Sequence, residues 1–185
     1  MAEYYLISQL PSLDGVSENA PLPITEERFL ELCGRFLGKK ACDELTRVTL
    51  LPPREEQKST SALVQAWNEG ERHLRLVLAK ARAEKLQKSF EEDIPSPSPA
   101  LLQAVLSAVE AENPLEAEKH LLRYRLAFLE ELRPTDAFAQ DYLFYYLLKL
   151  KLLLRIRHFD TDSGAAAYKN IYDSIMRGER LEVVK

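Results

Sequence analysis

The stretch from Tyr142 to Leu154 constrains this chain most. It reads Tyr-Leu-Phe-Tyr-Tyr-Leu-Leu-Lys-Leu-Lys-Leu-Leu-Leu, thirteen residues broken only by Lys149 and Lys151. Wound as a helix, it is apolar on every side, and such a helix is stable only when other elements surround it. It is too short to cross a bilayer, which needs about 20 apolar residues. The expectation is therefore a central helix, about Ala137 to Phe159, capped by Thr135 or Asp136, in a bundle with no transmembrane segment.

The rest of the sequence supplies the surrounding helices. Thr25 followed by Glu26 and Glu27 is a start signal, with Phe29, Leu32, Cys33 and Phe36 at helical spacing and Gly38 as a stop. A short helix then runs from Lys39 or Lys40 to about Val48, before Pro52 and Pro53. Ser59 or Thr60 can cap a helix striped by Leu63, Trp67, Gly70, Leu74, Val77, Leu78 and Ala81. It reaches about Ser89, with its charged end beyond the core.

Ser98-Pro99 and Asn113-Pro114 each place a cap before a proline at the first helical position. The second of these helices stops before Pro134. A last helix to about Arg177 directs Tyr168, Ile171, Tyr172, Ile175 and Met176 inward, with Gly178 as its stop. Only the opening, Tyr4 to Leu10, is ambiguous between a strand and a helical turn.

The expected fold is all-α: a helical bundle of six to eight helices with a long C-terminal helical hairpin. Residues 1–90 form an N-terminal helical part and residues 91–99 a hinge or linker holding Pro95, Pro97 and Pro99. Residues 100–178 form the C-terminal hairpin part and residues 179–185 a tail.

Composition narrows the function. With 25 basic and 29 acidic residues the net charge is −4, which argues against a nucleic-acid-coating protein. Six glycines in 185 residues leave no phosphate-binding loop motif. Cys33 and Cys42 form no CxxC and suit a reducing compartment. The first residues lack a basic, then long apolar, leader, so the location read from the sequence is cytoplasmic, or the cytoplasmic face of a membrane.

Catalytic and metal-binding patterns are weak. Glu69 and His73, and Glu116 and His120, each lie four apart and share a helix face. They lack the Glu-x-x-His spacing of di-iron bundles. Asp160 to Gly164 has its glycine at the wrong position for a calcium loop and reads as a capped turn. No nucleophile motif is present, so no enzyme, cofactor or metal site is expected.

The charged group with functional meaning is basic. Lys149, Lys151, Arg155 and Arg157 punctuate the central helix; 151 and 155 share a face, and 149 lies ~160° from 151. Together with Arg123 and Arg125, residues Lys151, Arg155 and Arg157 are the candidate partner-binding set. They either dock an acidic partner or extend to water and pair with nearby acids.

Three stretches carry a family resemblance. Tyr4-Tyr-Leu-Ile-Ser-Gln-Leu-Pro-Ser-Leu13 resembles the start of a bacterial family of uncharacterised proteins encoded with V/A-type ATPase subunits. Asn113-Pro-Leu-Glu-Ala-Glu-Lys119 and the helix after it are similar to the same family. So is Asp141 to Arg157, where a Tyr-Leu-Leu-x-Leu core precedes a basic residue. The last stretch also distantly resembles helices of the C (or d) subunit, an all-helical adaptor between the membrane rotor and the central shaft.

The resemblance implies a non-enzymatic subunit or assembly factor of a V/A-type ATP-driven proton or sodium pump. Its partners would be V/A-type ATPase subunits, met through helix-to-helix contacts, and it would be peripheral to the membrane through them. In a C-subunit-like role, Phe138, Tyr142, Tyr145 and Tyr146 would be mostly core. The alternatives are an unrelated soluble helical protein-interaction module, and an enzyme or metal bundle using Glu69, His73, Glu116 and His120.

Overall fold

Side-chain caps start four of the helices. In a computed structural model, which describes residues 2–16, 21–53, 59–157 and 161–176, Thr25 Oγ1 accepts the Arg28 amide and opens α2 (Glu26–Phe36). Ser61 opens α4 (Ala62–Lys85), Ser98 opens α5 (Pro99–Glu110) and Asn113 opens α6 (Pro114–Glu131). In each, the side chain satisfies an amide left over in the first turn. The opening segment is helical, α1 (Ala2–Gln9); α3 (Lys39–Arg47), α7 (Gln140–Arg157) and α8 (Thr161–Met176) complete the set. The described residues thus form eight helices and no strand, an all-α bundle.

The central helix behaves as its composition requires. Every residue from Leu143 to Leu150 is buried, and so is Leu152. Around α7 pack Leu6 of α1, Phe29 and Cys33 of α2, Leu45 of α3, Trp67 of α4, and Leu122 and Leu129 of α6 in one hydrophobic cluster. A second cluster joins Leu74, Val77 and Leu78 of α4 to Leu101 and Val105 of α5 and Leu121 of α6. Helices α4 and α6 serve both clusters, so both sides of residues 91–99 share the core. The long C-terminal hairpin is α6 with α7, and α5 pairs along α6. Among the described residues no helix is long and apolar enough to cross a membrane.

Several boundaries differ from the sequence reading. Ser61, not Ser59 or Thr60, caps α4; Ser59 instead accepts the Ser61 amide. Helix α4 ends at Lys85 rather than near Ser89. Gln87 takes a left-handed φ of 56°, and Lys88 and Gln87 donate back to the Ala83 and Glu84 carbonyls. This is the Schellman closure, with glutamine where glycine is usual. The charged end of α4 stands outside the core as expected: packing against α5 reaches Ala81, while Arg82, Glu84 and Lys85 are exposed.

Gly38 does not stop α2. Leu37 is its extended C-cap, and Gly38 precedes α3. Asp136 closes a local turn by accepting the Phe138 amide, so α7 begins at Gln140. Phe138 is exposed and stacks on the Tyr4 ring at 4.5 Å, while Tyr145 and Tyr146 are buried. The largest correction concerns α8. Tyr168, Ile171, Tyr172 and Met176 face solvent, Tyr168 at 71% and Met176 at 70% exposure. The Ile175 side chain, Phe159, Asp160, Arg177, Gly178 and residues 179–185 lie outside what the structure describes.

Candidate functional site

The basic residues of α7 part company, as their helical angles require. Lys149 points inward. Its Nζ donates to Asp14 Oδ1 (2.5 Å), Glu130 Oε1 (2.6 Å) and Tyr145 OH (3.1 Å), and the Tyr145 hydroxyl donates to Glu130 (2.7 Å). This cluster fastens the connection after α1 to the α6–α7 hairpin. A direct hydrogen bond from Lys149, supported by its charge and that of Arg133, holds the Asp14 carboxyl below its ordinary value of 3.8. Burial pushes Glu130 up, but hydrogen bonds from Lys149 and Tyr145 outweigh it and hold the carboxyl below 4.5. Burial would lower the Lys149 ammonium, and its three partners raise it above 10.5 instead.

A pH dependence follows. Depressed carboxylates contribute stability above their unfolded values and lose it as pH falls through their folded values. The lysine's contribution, being from a raised group, persists to high pH and is lost only on strong alkalinisation. Urea-unfolding midpoints of the wild type should therefore fall between about pH 5 and pH 3. In Lys149→Met that fall should be shallower, since both carboxylates return toward ordinary values. Parallel curves would contradict the assignment.

Lys151 turns to the other side and donates to Glu26 of α2. Arg155 meets α6, its Nε donating to Glu118 Oε1 at 2.7 Å. Arg157 is half-buried and also partnered. Arg123 is exposed on α6. Of the five sequence candidates, Arg125 and Arg155 converge, and they do so on Glu118.

Their meeting place contains residues that the sequence reading passed over. Arg125 grips Glu71 of α4 with a two-pronged contact, Nε to Oε2 (2.9 Å) and Nη2 to Oε1 (2.8 Å). Arg75 donates to the same carboxylate at 3.1 Å. Glu71 is only 2% exposed, and paired guanidiniums offset the cost of holding its charge there. Glu71 and Arg75, four apart, form a helical pair visible in sequence. That Arg125 reaches it from α6, and Arg155 of α7 joins through Glu118, is a product of the fold.

The histidine pairs are not assembled. His73 Nε2 lies 3.0 Å from the Pro95 carbonyl, and Glu116 accepts from Lys119. No grouping of three or more metal-ligating side chains occurs among the described residues. Cys33 is buried, and burial pushes its thiol up to about 12, which leaves it protonated and unreactive at neutral pH.

A second feature is the outer strip of α8. Tyr168, Ile171, Tyr172 and Met176 recur at three- and four-residue intervals, and the two tyrosine rings stack with centroids 6.4 Å apart. One exposed apolar residue is ordinary; four in register on one helix form a patch of the kind that marks protein contacts.

Residues 98–179 match the family model described as "Protein of unknown function (DUF2764)". The matched segment includes α5 to α8, and so holds Glu118, Arg125, Arg155 and the α8 strip, while Glu71 and Arg75 lie before it. No curated protein and no solved structure matches the chain.

Proposed function

We propose that this chain is a non-enzymatic helical adaptor: a subunit or assembly factor of a V/A-type ATP-driven proton or sodium pump. It acts on the cytoplasmic face and reaches the membrane through its partners. The observation that carries the reading is the α8 strip of Tyr168, Ile171, Tyr172 and Met176, four large apolar residues presented to solvent on one helix of a bundle whose other seven helices each bury apolar residues in its two clusters. Helix-in-groove contacts use anchors at this spacing, with aromatic residues dominating the energy.

The choice of a rotary pump as partner rests on the resemblance of residues 4–13, 113–119 and 141–157. The occupant of the α8 strip is then an apolar groove on a rotor or shaft subunit. An unrelated helical interaction module would use the same strip, and the proteins it binds distinguish the two.

The test is the double substitution Tyr168→Asp with Tyr172→Asp. Both side chains are more than half exposed, so the far-ultraviolet circular dichroism spectrum and unfolding midpoint should stay near wild type. Recovery of the ATPase subunits with the tagged chain should fall by about tenfold or more. Unchanged recovery from a folded variant would contradict the reading.

A further inference from the structure

Helices α4, α6 and α7 and the segment after α3 enclose a cleft of about 410 Å³. Its size lies within the range of natural binding sites. Leu78 and Leu121, both buried, contribute its apolar floor, and Leu51, 55% exposed, stands at its edge. The polar lining is Arg75, Arg82, Arg125 and Arg155 against Glu71 and Glu118. Among the described lining residues, four guanidiniums thus face two carboxylates.

The two carboxylates have their own work. Glu71 holds Arg125 and Arg75, and Glu118 holds Arg155 and Arg125. These pairs brace the three helices and position the arginines. The positive excess falls toward the rim, where Arg82 is exposed and the Arg75 side chain is 45% exposed. Guanidinium forks match carboxylates in pairs, and here they stand beside buried leucine surface. The complementary ligand carries acidic groups flanking an apolar body.

The openness of the rim decides its size. Small ligands in dedicated pockets bury roughly 70–90% of their surface. Here Leu51 and the Arg75 and Arg155 side chains stand half out of the protein, which suits one side of a larger molecule. The net charge of −4 disfavours a nucleic acid as that molecule.

We infer that the cleft docks an acidic, leucine-bearing segment of a partner protein, with its carboxylates on Arg75 and Arg82 and its apolar side chain against Leu78 and Leu121. The inference goes beyond the α8 contact and stands on different residues. It holds whether the partner is a pump subunit or another protein.

The test uses the full chain and a fluorescent peptide alternating pairs of glutamates with single leucines. The expected result is saturable binding by fluorescence polarisation, weakened by about tenfold or more between low and moderate salt. A peptide with glutamine in place of glutamate should not bind. Arg82→Glu, an exposed change that leaves the fold in place, should weaken binding about tenfold, and adding Arg75→Gln should weaken it further. Lys40→Glu, exposed on α3 and outside the cleft lining, should leave it within about twofold.

Three outcomes overturn the proposal. One is no binding of the acidic peptide up to about 1 mM, the scale of the weakest specific contacts. The second is equal binding by the Arg82→Glu and Lys40→Glu variants. The third is displacement of the peptide by inorganic phosphate at matching concentration, which marks a simple anion site.

Discussion

Trp67→Ala is expected to lower the unfolding free energy by roughly 3–5 kcal/mol. Trp67 is 1% exposed and is the largest side chain buried so completely. It sits on α4 within the main cluster, one turn before Gly70. Its ring stacks on Phe128 of α6 at 6.1 Å, and Phe128 stacks in turn on Tyr124.

A Cβ at Gly70 would collide with the Phe128 ring, so this ring from α6 lies against bare α4 backbone one turn beyond Trp67. Truncating Trp67 therefore opens a cavity in the main cluster beside a ring already seated against the α4 backbone. The indole Nε1 is buried with no hydrogen-bond partner among the described residues. Trp67→Phe removes that orphan donor along with some volume, so its cost should be smaller, about 1–2 kcal/mol. Urea unfolding followed by circular dichroism measures both. A cost for Trp67→Ala below about 1 kcal/mol would mean that the packing around Trp67 is looser than described.

Glu71→Ala should cost a similar amount, roughly 3–5 kcal/mol, for a different reason. The loss comes from Arg125, which is 12% exposed and would keep only Glu118 at 3.5 Å as a described ionic partner. A charge stranded without its main partner is worse than no charge at all. The double replacement Glu71→Leu with Arg125→Met should therefore recover most of the loss. A double-mutant cycle on urea midpoints would read a strong coupling. If the double variant is as unstable as the two single changes added together, the pair is not the unit described here.

These two residues mark the limit of sequence reading. The apolarity of Tyr142 to Leu154 on every side already implied a surrounded helix, and Leu143 to Leu150 are all buried. Thr25, Ser98 and Asn113 were legible as caps because the signal is local: a short acceptor three residues before a free amide. The end of α4 was not, since Gln87 occupies the left-handed position that glycine normally announces. Nor was the start of α7, where Asp136 spends its side chain on a turn.

For the charged residues, the helical angle separated Lys149 from Lys151 but named no partners. Those partners lie far off in sequence, Asp14 for one and Glu26 for the other. The cleft was illegible for the same reason: Glu71 meets Arg125 across 54 residues. On α8 the apolar periodicity was correct and its direction was not. Periodicity establishes that one face is apolar, and leaves open whether this chain or another covers it.

The most direct measurement is a native pull-down from the source organism. The chain is tagged, membranes are solubilised gently, and co-purifying proteins are quantified by mass spectrometry. The account predicts V/A-type ATPase subunits among the main partners: rotor and shaft subunits at comparable amounts for a resident subunit, partial assemblies for an assembly factor. Recovery of the tagged, folded chain with no ATPase subunit would contradict it.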